Sequence, residues 1–118
     1  MKRQFLFIIA GDPRSSPRPA EAIRIAAGIS SCKKVEMIIY LRAEAVRCVG
    51  EFAEELVDSE NYLRYLPILT EQNNLPVYVQ KGAPALAEIG QPSVPLQEIG
   101  EVELADLSAQ AAYSVLFA

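Results

Sequence analysis

The run Phe5-Leu6-Phe7-Ile8-Ile9-Ala10, closed by Gly11-Asp12-Pro13, constrains this chain more than any other stretch. A strand with one face in water alternates apolar and polar residues. An unbroken apolar run fits a strand buried on both faces, and such strands belong to parallel sheets covered by helices. Val35 to Leu41, Val-Glu-Met-Ile-Ile-Tyr-Leu, has nearly the same character. Both runs are far too short to span a bilayer, so no membrane segment is expected.

The other stretches fall into place around these two strands. Ser16 and Pro17 form a helix start, a hydroxyl cap followed by proline. Ala22, Ile25, Ala26 and Ile29 then recur at helical spacing. After the second strand, Ala45, Val49, Phe52 and Leu56 fit one helical stripe, weakened by Gly50. Asp58-Ser59 would cap a further helix in which Tyr62, Tyr65, Leu66 and Leu69 share a face. Pro67 should kink that helix or mark a second start. Leu75 to Pro84 reads as the central strand: Pro76 opens it, Val77-Tyr78-Val79 carries it, and Gln80-Lys81-Gly82-Ala83-Pro84 breaks it. Sites in such sheets lie beyond the carboxyl ends of strands. Ala85 to Ile89 suggests one helical turn, and Leu96 to Gly100 a short strand. Glu101 to Ala111 reads as an acidic helix with Val102, Leu104, Ala105, Leu107 and Ala111 inward. Ser114 to Phe117 is a final strand. The order β-α-β-α-α-β-(short element)-α-β predicts one domain over residues 1–118. Its expected fold is a flavodoxin-like three-layer α/β sandwich with a mostly parallel five-stranded sheet and the first and third strands near the middle.

Composition narrows the chemistry. The 118 residues carry a net charge of -4, which opposes phosphate backbones, so nucleic acid is not an expected partner. The absence of histidine excludes histidine acid–base catalysis. Two cysteines, Cys32 and Cys48, form neither a disulfide framework nor a metal site. Gly11 alone is not a phosphate-binding fingerprint, and no cofactor is expected. Met1-Lys2-Arg3 precedes an apolar stretch that lacks a cleavage pattern, which points to a cytoplasmic protein.

Candidate site residues gather at the carboxyl ends of the strands. Asp12, Arg14 and Arg18 lie in the first β-to-α loop and at the helix start behind it, where free amides favour an anion. Lys81 and Gly82, from the turn after the third strand, would complete a cleft for a small anionic or nucleotide ligand; solvated loop charge is the plainer alternative. Gln80 offers an amide that can bind a ligand or satisfy the turn's own backbone. Cys48 follows the second strand beside Arg47, which would lower its pKa if the side chains met; packing as a small apolar residue is the alternative. Cys32, at the amino-terminal edge, reads as a packing residue. Glu51, Glu54 and Glu55 read as a solvated helical face rather than an acid–base pair.

Three segments taken together resemble the DsrE/DsrF-like proteins, which include the YchN-like group. They are Phe5 to Pro13 with its Ala- and Ile-rich helix, Ile68 to Val79, and Glu98-Ile99-Gly100 through Leu104 to Phe117. The resemblance implies a flavodoxin-like fold, assembly into homotrimers or homohexamers, and sulfur relay in which a cysteine just after the third strand passes persulfide sulfur between protein partners. The matching positions here are Gln80 and its near neighbour Ala83. A glutamine amide can neither become a thiolate nor bear a persulfide. The expectation is therefore an oligomeric, non-catalytic binding or assembly member of that family. The alternatives are a sulfur carrier using Cys48 and a binder of a small anion.

Overall fold

The computed structural model describes residues 2–118. Five strands, β1 (Arg3–Ile9), β2 (Val35–Leu41), β3 (Val77–Gln80), β4 (Leu96–Ile99) and β5 (Tyr113–Phe117), form one sheet. Every adjacent pair is parallel, and the order is β4-β3-β2-β1-β5. The three-layer parallel sandwich is the one the strand pattern predicts. The chain steps outward from β1 through β4, then returns to lay β5 on the free side of β1. This differs from the flavodoxin order of 2-1-3-4-5, so the likeness lies in the layers and the parallel sheet. β2 is the central strand, flanked by β1 and β3. The strand in Leu75 to Pro84 is therefore second from the edge, because the short β4 adds beyond it.

Helices α1 (Arg18–Ser30) and α2 (Glu60–Asn73) cover one face, and α3 (Glu101–Gln110) the other. Alternate residues of the apolar runs serve the two cores. Phe7, Ile9, Met37, Ile39 and Leu41 pack with Ile23, Ala26, Tyr62, Leu66 and Leu69. Leu6, Ile38 and Tyr40 pack with Ile99 and Leu104. Double-sided burial is the physical reason the runs are unbroken. The second core is thin. Val102 and Ala105, expected inward, are exposed, Val102 at 77%; on α3 only Leu104 is fully covered.

Two local expectations fail. Residues 45–56 form no α-helical stripe; the backbone makes 3-10 turns at Ala43–Val49 and Ala53–Glu55. Gly50 between them is extended, with ψ 170°, and passes so close to Ile89 that a Cβ would lie 2.7 Å from the Ile89 Cβ. Phe52 consequently faces outward, 51% exposed. Pro67 neither ends nor restarts α2, which runs through it. Pro67 and Leu63, one turn before it, are exposed, so the carbonyl that loses its partner meets water. The helix ends at Asn74 in the left-handed region, φ 53°. Its last residue, Asn73, is buried and ties helix to sheet: Oδ1 accepts the Met37 N–H at 2.9 Å and Nδ2 donates to the Leu69 carbonyl at 2.8 Å. β3 pairs with β2 only at Tyr40 and Leu41, so Asn73 supplies the partner that β3 begins too late to give.

Candidate functional site at the carboxyl edge of the sheet

Three loops meet where β1, β2 and β3 end. Asp12 shapes the first. Its carbonyl accepts the N–H groups of Ser15 and Ser16 at 3.2 and 2.9 Å. Its carboxylate accepts from the Arg14 backbone at 2.9 Å and from Arg14 Nε and Nη2 at 3.1 and 2.9 Å. These hydrogen bonds hold the Asp12 carboxyl below the ordinary carboxylate value and raise the Arg14 guanidinium. Arg14 Nη2 also lies 3.5 Å from Glu44 Oε2. Glu44 accepts from Arg47 Nε at 2.6 Å, and Arg47 Nη2 donates to Glu88 Oε2 at 2.8 Å. The hydrogen bonds to Glu44 and Glu88 push the Arg47 pKa up.

The result is one chain of alternating charge, Asp12–Arg14–Glu44–Arg47–Glu88, across all three loops. Isolated surface pairs contribute little, but Arg47 is only 16% exposed and sits between two carboxylates. Backbone hydrogen bonds fix the same loops. Val57 N–H reaches the Pro13 carbonyl at 3.1 Å, and Glu51 N–H the Ile89 carbonyl at 2.8 Å. A cleft of about 280 Å³ lies among them, lined by Arg14, Arg47, Phe52, Glu55, Leu56 and Glu88, with Gly50 against Ile89.

The candidates divide. Asp12 and Arg14 belong to the charged network, and Arg14 lines the cleft. Gln80, Lys81 and Gly82 are not in its lining. Gln80 Oε1 accepts the N–H of Ala43 at 2.9 Å, bracing a non-glycine residue in the left-handed region at φ 53°. Lys81 and Gly82 are exposed on the turn, Gly82 at φ 78°. The β1 and β3 loops do not simply adjoin, since β2 runs between them and its loop fills the space. Arg18 donates its N–H to Ser16 Oγ at 3.2 Å, so the side chain of Ser16 already occupies that part of the α1 start.

Cys48 is not the exposed, activated thiol of the sulfur-carrier alternative. It is fully buried beside Tyr62, and burial pushes its pKa up to about 12. Arg47 points instead to Glu44 and Glu88. The other thiol reverses its expectation as well: Cys32 is exposed, because the chain turns at residues 31–34 outside both cores. Arg47, Phe52 and Glu88 were not singled out as site residues. Only Gly50, interrupting the supposed stripe, hints that this loop turns outward. The described residues include no helix long and apolar enough to cross a membrane.

This architecture defines a class: a three-layer sandwich on a five-stranded parallel sheet wound 4-3-2-1-5, with a charged cleft at its carboxyl edge. Among solved structures the chain is similar to the crystal structure of ychN protein from E. coli, with a TM-score of 0.80 and 22% sequence identity over 99% of this chain and 100% of that one. The fold is thus that of ychN, as the resemblance implies. No family model matches the chain, and no curated protein matches its sequence.

Proposed function

We propose that this chain is a DsrE/DsrF-like protein of the YchN-like group that has given up sulfur transfer and acts in the cytoplasm as an oligomeric binding or assembly protein. One observation carries the reading. Gln80 stands where the resemblance expects a sulfur-bearing cysteine, and its amide oxygen is committed to the Ala43 N–H at 2.9 Å. That side chain braces the strand end and has no nucleophile to offer. The only thiol near this edge is sealed in the core, where its high pKa keeps it protonated at neutral pH. Self-association is supported by β5, an apolar edge strand whose Tyr113, Val115 and Leu116 are exposed. In this reading Asp12 and Arg14 contribute to binding at the cleft, Gln80 is structural, and Lys81 and Gly82 form the neighbouring rim.

Persulfide labelling of the Cys32→Ser variant with a polysulfide donor tests the loss of sulfur chemistry, since that variant removes the exposed thiol. The expected outcome is no sulfur added to the folded protein. Sulfur loading that disappears on further substitution of Cys48→Ser would overturn the reading.

A further inference from the structure

The carboxyl-edge cleft has a charge balance that identifies what it takes. Its two guanidinium groups are already paired with carboxylates. Arg14 is held in a fork by both oxygens of Asp12, and Arg47 is held by Glu44 on one side and Glu88 on the other. Three carboxylates therefore surround two cations before any ligand arrives. Among the described residues, no cation pairs with Glu55 in the cleft wall. Glu51 and Glu54, on the same exposed segment, add to the negative field. An incoming anion would meet guanidinium groups whose charge Asp12, Glu44 and Glu88 already offset, with Glu55 beside them in the wall.

The rest of the wall is apolar. Phe52, 51% exposed, and Leu56 line this cleft together. An aromatic face next to an unpaired carboxylate suits a cation on an apolar stem, through cation–π attraction and burial of the stem. Gly50, extended between the two 3-10 turns and packed closely on Ile89, lines the same cleft.

We propose that the cleft between Phe52, Glu55 and Glu88 binds an amphipathic organic cation, an ammonium or guanidinium group on a short apolar or aromatic stem. Glu55 receives the charge, Phe52 and Leu56 cover the stem, and the Arg14–Glu44–Arg47–Glu88 network holds the wall in place. The inference deepens the proposed function by assigning a ligand class to its cleft. It does not depend on the loss of sulfur chemistry, and persulfide labelling does not read it.

The test is titration of the protein, followed by amide chemical shifts and calorimetry, with benzylammonium and n-butylguanidinium against benzoate and inorganic phosphate. The two cations should bind saturably, and more weakly as salt is raised. Phe52→Ala and Glu55→Gln should each weaken them about tenfold or more, a loss equivalent to about 1.4 kcal/mol. Both residues are exposed, so the variants keep the fold, which circular dichroism checks. A blocked arginine amide separates two sources of the same chemistry: binding tighter than n-butylguanidinium assigns the site to a partner protein's side chain, and weaker binding to a free small organic cation. The proposal is overturned if benzoate or phosphate binds as tightly as the cations, if both variants bind like the parent, or if no cation saturates the cleft.

Discussion

Asp12 shows how one residue sets both a loop and a local electrostatic balance. It accepts three hydrogen bonds from Arg14 through its carboxylate and two backbone N–H groups through its carbonyl. Its pKa is lower in the folded protein than the ordinary value of 3.8, so the ionised form is favoured by folding. The sign follows from linkage: the contribution is fully present above the ordinary value and is lost as pH falls through the lowered one. Equilibrium denaturation from neutral to acid pH should therefore show a loss of stability at the acid end that Asp12→Asn lacks. Parallel acid limbs for parent and variant would show that Asp12 contributes nothing through its charge. Gln80 acts at the same scale by a different means. It stabilises a left-handed alanine, a conformation that costs an L-residue about 1–2 kcal/mol, and so helps position Glu44, the next residue, and Arg47 about a turn further on.

At the scale of elements, Gly50 decides more than its size suggests. A side chain there would meet the Ile89 Cβ at 2.7 Å and the Ile89 carbonyl oxygen at 2.8 Å. Gly50→Ala should destabilise the protein by about 1–3 kcal/mol, the usual cost of overpacking, and displace the Phe52 loop. Urea denaturation reads the first effect; an unchanged midpoint would show that the loop yields freely. Elements differ in how plainly their sequence shows them. β1 and β2 were legible because burial on both faces leaves an unmistakable apolar run. α1, β3, β4 and α3 were legible through spacing and through proline and glycine boundaries. The stripe Ala45, Val49, Phe52 and Leu56 misled because periodicity alone carries no information about Ile89, a contact made across the fold. Of the charged network at the candidate site, the positions of Asp12 and Arg14 are legible from their place after a strand. Arg47 and Glu88 are not, since their pairing joins residues 41 positions apart. Burial of Cys48 agrees with the packing alternative read from the sequence, while the groups that seal it, Tyr62 and the 3-10 turns, come together only in the fold.

At the scale of the whole molecule, the two sheet edges and the two faces are unequal. α1 and α2 cover one face, while the other has a single short helix with one fully covered side chain. β5 leaves Tyr113 and Val115 exposed on one side and Leu116, at 62%, on the other. An apolar edge of this kind is a template for pairing, and in the proposed assembly a neighbouring protomer covers it. Light scattering should give the mass of a trimer or hexamer at micromolar concentration, and Leu116→Asp should shift it toward the monomer. A monomeric parent would remove assembly from the account. At the end of β3, where the family resemblance expects a sulfur-bearing cysteine, Gln80 braces the backbone, and the proposed function holds that no sulfur is carried there. The most direct measurement compares persulfide uptake by the Cys32→Ser protein with and without Gln80→Cys. The account predicts no uptake by the first and gain of a persulfide, confined to position 80, by the second. Uptake by the first equal to that of the second would contradict it.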